Sequence, residues 1–172
     1  MGDRSKLAAL YDAHAAGVYG YVCAILADPA EAEDVVQEVF LRAVARSDGW
    51  FGLRNPAGYL YRAARNEALS RLRKRNVRER LAPEVGRLAI VQTAGGGMAA
   101  EEDAARVNAA LLVLPVEQRE AVVLKLYQDR TFKEIARITG VSQNTAASRY
   151  RYALAKLKEI LEEEEAMTHG HD

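Results

Sequence analysis

The spacing of the apolar residues is the feature that most limits how this chain can fold. In the segment 7–26 they recur at threes and fours, and the segment 31–46 repeats that spacing. A period near 3.6 lines up apolar side chains along one face of an α-helix, and the abundant Ala, Leu, Glu and Arg also favour helix over strand. The sequence therefore predicts an all-α fold. The apolar positions of the first helix are Leu7, Leu10, Tyr11, Val18, Val22 and Leu26.

Local signals predict where the helices of the first half begin and end. Asp28 is expected to cap a second helix that has Pro29 at its first position. The stretch SDGWFGLRNP, with two glycines and a proline, ends this helix, and a third helix is expected from Ala57 to about Arg80. The second helix is expected to bury Val35, Val36, Val39, Phe40 and Val44.

The glycine-rich stretch VQTAGGGMAA divides the chain into two small helical domains. Helical periodicity fails between about residues 83 and 100, as expected of a flexible connector. The acidic end LEEEEAMTHGHD is expected to extend the last helix briefly and then fray. The predicted organisation is an N-terminal domain over 1–82, a flexible linker over 83–103, a C-terminal domain over 104–161 and an acidic tail over 162–172.

Opposite charges are segregated along the chain although its formal net charge is zero. Residues 1–50 carry a net charge of −4, whereas residues 51–82 carry +7. Within 130–158 there are seven basic residues and one acidic residue. Clustered Arg and Lys favour a polyanionic partner, because each neutralised phosphate releases condensed counterions. A pair of solvated helix faces is the alternative.

The stretch Thr131 to Leu154 predicts a helix-turn-helix, in which the second helix lies in the DNA major groove. Thr131 and Glu134 form a capping box at the start of the first helix, and Gly140 ends it. Ser142 then caps the second helix. A helical hairpin that binds no DNA is the alternative. The inward positions are expected to be Phe132, Ile135, Ala136 and Ile138, followed by Ala146, Tyr150, Ala153, Leu154 and Leu157.

Helical spacing also divides the outward residues of this motif into two roles. Near the start of the second helix, Asn and Gln can pair with adenine and Arg with guanine. The residues predicted to reach base edges are Gln143, Asn144, Ala147, Ser148 and Arg151. Other cations are predicted to hold phosphates without reading sequence. These anchors are Arg130, Lys133, Arg137, Arg149 and Lys156.

Several other classes of function are disfavoured by the composition. Cys23 is the single cysteine, which excludes an intramolecular disulfide and makes a thiolate metal cage improbable, so a reducing, cytoplasmic location is expected. No apolar run approaches the roughly 20 residues of a membrane span. His14 is isolated, and AGGGMAA lacks the lysine of a phosphate-binding loop. We therefore expect no enzyme activity, no catalytic residue, no metal, no cofactor and no small-molecule substrate.

Three motifs in order resemble the extracytoplasmic-function group of RNA polymerase sigma factors. They are AEDVVQEVFLRA, then NPAGYLYRAARNEALSRLRKR, then LPVEQREAVVLKLYQDRTFKEIARITGVSQNTAASRYRYALAKL. Each motif alone is moderately specific, but three in this order are a strong signal. The resemblance implies that the acidic second helix binds core RNA polymerase. The residues so implied are Asp34, Gln37, Glu38, Leu41 and Arg42.

The resemblance also implies how the chain meets promoter DNA. The loop and third helix would melt the minus-ten element, while the helix-turn-helix would read the minus-thirty-five element. Neighbouring side chains point in different directions, so Tyr59, Leu60 and Tyr61 cannot all face DNA; we favour Tyr61 and Arg65 over Tyr59. The residues implied in minus-ten binding are Trp50, Phe51, Tyr59, Tyr61, Arg62, Arg65, Asn66, Arg71, Arg73, Lys74 and Arg75.

Family members usually carry one basic residue where Ala147 stands and another near Tyr152, so base readout depends more on Gln143, Asn144 and Arg151. The implied partners are core RNA polymerase, promoter DNA and an anti-sigma factor, either soluble or membrane-bound. Two alternatives remain open. One is a decoy that sequesters an anti-sigma factor, and the other is a stand-alone helix-turn-helix regulator.

Overall fold

The computed structural model describes residues 3–46, 53–78, 90 and 97–170, and the regular structure within these ranges is helical. Among the described residues, the N-terminal half contributes three long helices and the C-terminal half four, with a π-helical turn at Val123–Tyr127. This agrees with the predicted all-α fold. No helix in these ranges is long and apolar enough to cross a bilayer. The helices are α1 (Asp3–Leu26), α2 (Pro29–Ala45), α3 (Pro56–Arg78), α4 (Met98–Val113), α5 (Val116–Val122), α6 (Phe132–Thr139) and α7 (Gln143–His169).

The predicted helix caps are confirmed. Asp28 caps α2 by accepting a hydrogen bond from the backbone N–H of Glu31 at 3.0 Å. At the start of α6, Thr131 and Glu134 satisfy each other's backbone N–H groups, at 2.8 and 3.2 Å. Gly140 ends α6 with φ +74°, in the left-handed region that glycine adopts without strain.

The core of the N-terminal half lies where α1, α2 and α3 meet. Its largest fully buried side chains include Tyr21, Ile25 and Leu60. One position of α2 was predicted wrongly: Val44 is 48% exposed. Ala43 fills the inward position of that turn instead, and each further residue turns about 100° around the helix. The apolar positions of α2 that are buried are Ala32, Val35, Val36, Val39, Phe40 and Ala43.

The C-terminal half is built around α7 and packs directly on the N-terminal half. Ile135 and Ile138 of α6 are buried as predicted, whereas Leu154 of α7 is 37% exposed and its predicted burial was wrong, because Ala153 occupies the inward position there. The helix α1 packs against α5, and α3 packs against α6. Residues of both halves therefore form one continuous core. The sequence alone does not indicate this contact between the two halves.

A buried arginine joins the two halves through hydrogen bonds to backbone carbonyl groups. Arg119 of α5 is 7% exposed, and its guanidinium donates hydrogen bonds to four carbonyl oxygens. Three of these carbonyls belong to the end of α4, and one, that of Ala24, belongs to the end of α1. A cation is favourable at a helix C-terminus, where carbonyls lack partners within the helix. Burial lowers the pKa of Arg119 to about 10, so it remains charged at neutral pH.

Two predictions about the connector and the tail require correction. Residues 98–103, assigned to the flexible linker, form the start of α4, and Ile90 is buried in the core. The tail over 162–172 was predicted to fray, but α7 continues to His169. Arg106 of α4 lies 3.7 Å from Glu164 and 4.0 Å from Glu165, and Glu, Ala and Met are strong helix formers.

Candidate nucleic-acid interface

The DNA-binding residues predicted on α3 lie on two different faces of that helix. Tyr59, Arg62 and Asn66 are exposed and follow one another at intervals of three and four. Tyr61 is only 1% exposed, and the Arg65 side chain, one turn further along, is 16% exposed. The first face is open to solvent, and the second packs against the C-terminal half. The sequence analysis had favoured the second pair, which is the pair that this conformation covers.

The open face of α3 forms one wall of a groove of about 460 Å³ whose other wall is α2. Three guanidinium groups line it, with one carboxylate, that of Glu67. The Arg46 guanidinium donates a hydrogen bond of 3.2 Å to the hydroxyl of Tyr59. Cations beside an exposed ring suit single-stranded DNA, which needs charges for its phosphates and flat surfaces for its bases. The polar lining is Arg42, Arg46, Tyr59, Arg62, Asn66 and Glu67.

The covered face of α3 is held by polar contacts to the C-terminal half. The Tyr61 hydroxyl donates to Oε1 of Gln128 at 2.8 Å, and the Arg130 guanidinium lies 4.8 Å from the centre of the Tyr61 ring. Arg65 donates from Nε and Nη2 to the two carboxylate oxygens of Glu120, at 2.7 and 3.2 Å. Burial lowers the pKa of Arg65, but its hydrogen bonds to Glu120 and the charge of that carboxylate raise it further, so the net shift is upward.

Tyr21 completes this buried cluster from α1. Its hydroxyl donates to Oε1 of Glu120 at 2.6 Å, and both side chains are almost completely buried. Burial, reinforced by the carboxylate, raises the pKa of Tyr21 well above its usual value, so the hydroxyl stays protonated. The carboxylate of Glu120 thus accepts three hydrogen bonds from two helices of the other half.

In the basic run near the end of α3, some cations bind other groups of the protein and others are exposed to solvent. Arg71 bridges to Glu38 at 3.0 Å and to Glu67 at 3.1 Å, which fastens α3 to α2. Arg75 donates to the backbone carbonyl of Leu26 at 2.6 Å. Arg73 and Lys74 are exposed, and neither has a carboxylate partner among the described residues. Arg73 and Lys74 are therefore the described cations of this run that this conformation leaves open to solvent and without a carboxylate partner.

The residues implied in polymerase binding lie along α2, beside this groove. Asp34 and Gln37 are exposed, and Leu41 is 68% exposed. Glu38 and Arg42 form an ion pair with each other, and Arg42 also lies 3.3 Å from Glu67. Leu41 and these polar and charged side chains therefore share the part of α2 that faces away from the core.

The helix-turn-helix presents the start of α7 to solvent. Ser142 caps α7 by accepting a hydrogen bond from the N–H of Thr145 at 3.0 Å. Gln143, Asn144 and Arg151 are exposed, and Arg151 donates to the Ser148 hydroxyl at 3.2 Å. The structure therefore leaves these base-reading candidates free to enter a groove. Ala147, Ser148 and Arg149 are half-buried.

The predicted phosphate anchors differ in how accessible they are. Lys133 and Arg137 are exposed on α6. Arg130 instead turns inward, where it stacks on Tyr61 and lies 3.8 Å from Glu134. Its Nε is buried and has no hydrogen-bond partner. Arg130 is therefore not placed to hold a phosphate in this conformation.

Two residues implied in minus-ten binding, Trp50 and Phe51, fall outside the described residues. The sequence analysis did not single out Glu120, Gln128 and Arg46, because charged and amide side chains are usually solvated. No group of three or more His, Cys, Asp or Glu side chains within the described ranges could hold a metal ion.

Each half of the chain matches a family model for one region of the sigma-70 proteins. The family model Sigma-70 region 2 matches residues 10–78, and Sigma-70 region 4 matches residues 104–157. The ECF RNA polymerase sigma factor SigL of Mycobacterium tuberculosis (strain H37Rv) is 30% identical over 162 residues, which cover 94% of this chain and 92% of SigL. SigW of Bacillus subtilis (strain 168) is 27% identical over 170 residues, covering 93% and 91%.

The fold agrees with a solved structure of the same kind. The sigma factor RpoE in complex with the anti-sigma factor NepR from Bartonella quintana superposes with a TM-score of 0.71 and 25% identity, over 92% of this chain and 96% of that one. A region 2 fold followed by a region 4 helix-turn-helix defines a transcription initiation factor. The chain belongs to the extracytoplasmic-function (ECF) group of RNA polymerase sigma factors. Sigma factors bind core RNA polymerase and promoter DNA and are not enzymes.

Proposed function

We propose that this chain directs core RNA polymerase to promoters by reading the minus-thirty-five element with α7 and opening the minus-ten element with α3. The observation that carries the proposal is the exposed start of α7. There Gln143, Asn144 and Arg151 stand on a capped helix whose turn residue has the geometry of a helix-turn-helix. These side-chain types make bidentate contacts to adenine and guanine in the major groove.

The groove between α2 and α3 supports the second part of the proposal. Tyr59 supplies a ring on which a base can stack, and Arg62 and Arg46 supply charge for the adjoining phosphates. A base extruded from the duplex also requires a cavity, and about 460 Å³ is ample for one. Arg73 and Lys74, further along α3, would hold the duplex backbone.

Binding to core polymerase is assigned to the exposed part of α2. Leu41 would be covered by the polymerase, with Asp34 and Gln37 beside it. Since core polymerase and the chromosome share the bacterial cytoplasm, the factor would act there. An anti-sigma factor would hold it inactive, as the similarity to a sigma factor solved with its anti-sigma partner suggests.

Run-off transcription with purified core polymerase tests the proposal and separates the alternatives. A promoter-dependent transcript is expected only when the chain and core polymerase are both present. Tight duplex binding by the chain alone, with no transcript, would identify a stand-alone regulator instead. Binding to an anti-sigma factor without transcription on any promoter would identify a decoy.

Two substitutions test the division between base readout and phosphate contact. Arg151→Ala should change the preference at one base pair of the minus-thirty-five element, by about 1–3 kcal/mol. Lys133→Ala, the matched control, should weaken binding to all sequences alike and reduce its salt dependence. An equal loss on every promoter for Arg151→Ala would remove that residue from the readout set.

A further inference from the structure

A second cleft lies between the first turn of α3 and helix α6, and we call it the α3–α6 cleft. Its volume is about 210 Å³. Pockets that hold drug-sized ligands usually measure about 300–1,000 Å³, so this cleft suits a smaller chemical group. Arg62 also borders the groove between α2 and α3. The polar and small residues of the cleft wall are Asn55, Gly58, Arg62, Arg130, Glu134 and Arg137.

The wall of the α3–α6 cleft is cationic. Three guanidinium groups, those of Arg62, Arg130 and Arg137, line it together with one carboxylate, that of Glu134. Three positive charges and one negative charge give the wall a formal net charge of +2. The carboxylate of Glu134 is already used by the capping box of α6, and it lies 3.8 Å from Arg130. It therefore leaves the charges of the other two guanidinium groups uncompensated.

Arg62 and Arg137 are the two cations of this wall that a ligand can contact directly. Both are exposed, and neither has a carboxylate partner within the part of the chain that the structure describes. They belong to different helices, so a group that contacts both must lie in the cleft. Arg130 differs, because its guanidinium stacks on the Tyr61 ring at 4.8 Å. It adds positive potential from the wall without binding the ligand itself.

The start of α3 adds to the attraction for an anion. Oδ1 of Asn55 accepts a hydrogen bond of 2.9 Å from the N–H of Gly58, which leaves the amide nitrogen of Asn55 as a donor. The N-terminus of a helix carries a partial positive charge, and α3 is 23 residues long. Paired guanidinium groups beside a helix N-terminus are a combination that binds phosphate groups.

We propose that the α3–α6 cleft binds a small phosphate monoester, whose phosphate group lies between Arg62 and Arg137. A phosphate monoester carries a charge of about −1.5 to −2 at pH 7, which matches the charge of the wall. A phosphodiester of the DNA backbone carries a single negative charge and matches it less well. The proposal goes beyond the proposed function and does not depend on it, because it concerns the free chain.

Isothermal titration calorimetry of the full chain with thymidine monophosphate, at constant ionic strength, tests this site. Arg62→Gln and Arg137→Gln should each weaken binding about tenfold, the factor expected from the loss of one charge-assisted hydrogen bond. Both side chains are exposed, so both variants should fold, and an unchanged thermal midpoint without ligand checks this. Lys158→Gln is the matched control, because it removes an exposed positive charge of α7 outside the cleft and should bind like wild type.

A second titration separates a small phosphate from the DNA backbone. Thymidylyl-thymidine, in which one phosphodiester joins two thymidines, presents the same base and sugar with a lower charge. It should bind several-fold more weakly than thymidine monophosphate. A ligand of the folded chain also stabilises it, so saturating thymidine monophosphate should raise the thermal midpoint, whereas sodium chloride at the same ionic strength should not.

Four results would overturn the proposal. The first is no detectable binding of thymidine monophosphate to wild type. The second is weaker binding by only one of the two arginine variants, which would place the phosphate on the surface of one helix. The third is an equal loss for Lys158→Gln, which would assign the binding to overall charge. The fourth is equal affinity for the dinucleotide, which would assign the cleft to the DNA backbone. The proposed function is tested separately, by run-off transcription.

Discussion

Replacing Arg119 with methionine removes a buried guanidinium while keeping most of the side-chain volume. Four carbonyl oxygens, three from the end of α4 and that of Ala24 in α1, then lose their hydrogen-bond donor. At the lower figure of about 1.5 kcal/mol for a hydrogen bond to a charged group, the lost bonds sum to about 6 kcal/mol. Burial lowers the pKa of Arg119 to about 10, which corresponds to a desolvation cost of about 3 kcal/mol that methionine avoids. The expected net loss of stability is about 3 kcal/mol.

Thermal unfolding followed by circular dichroism measures this loss. For a chain of this length each kcal/mol moves the midpoint by about 2–4 °C, so Arg119→Met should unfold about 6–12 °C below wild type. Arg119→Lys should lose nearly as much although it keeps the charge, because one ammonium group cannot reach carbonyls on two helices at once.

Arg106→Met is the matched control for this substitution. Arg106 makes exposed ion pairs with Glu164 and Glu165, which contribute less than about 1 kcal/mol. A midpoint for Arg119→Met within about 2 °C of wild type would refute the reasoning, since it would mean that the four carbonyls are satisfied without the guanidinium.

Two further predictions concern residues with positive φ. Gly140→Val should destabilise the helix-turn-helix by about 1–2 kcal/mol through backbone strain alone, since nothing lies within 4 Å of the added Cβ. A midpoint unchanged in thermal unfolding would contradict this. Ala27, at φ +53°, occupies the left-handed position after α1, so Ala27→Gly should raise stability by about 0.5–1 kcal/mol in urea titration. A loss of stability there would show that the flexibility of glycine in the unfolded chain outweighs the relief of strain.

Features set by neighbouring residues could be predicted from the sequence. The capping box of Thr131 and Glu134 and the cap on α2 by Asp28 depend on contacts across three residues, and both occur in the structure. The exposed positions at the start of α7 follow from helical spacing in the same way. Local signals of this kind do not depend on how distant parts of the chain meet.

Features set by distant contacts could not be predicted. Tyr61 and Arg65 are covered because Gln128 and Glu120 reach them from the other half, at sequence separations of 67 and 55 residues. Glu120 has no sequence signal of its own, since a glutamate in an amphipathic helix is usually solvated. The helical tail likewise contacts Arg106, which is far from it in sequence.

The length of α7 keeps the acidic residues near its C-terminal end far from the exposed residues at its start. From Asn144, near the end of the helix proposed to read bases, to Glu164 the helix rises by about 30 Å. At physiological ionic strength electrostatic influence decays over about 8 Å, so the four consecutive glutamates are nearly four decay lengths from the bases. The glutamates at one end of α7 can thus offset the positive charge of the chain without repelling nucleic acid at the other end. Shortening the helix by three turns while keeping the glutamates would bring that repulsion into range.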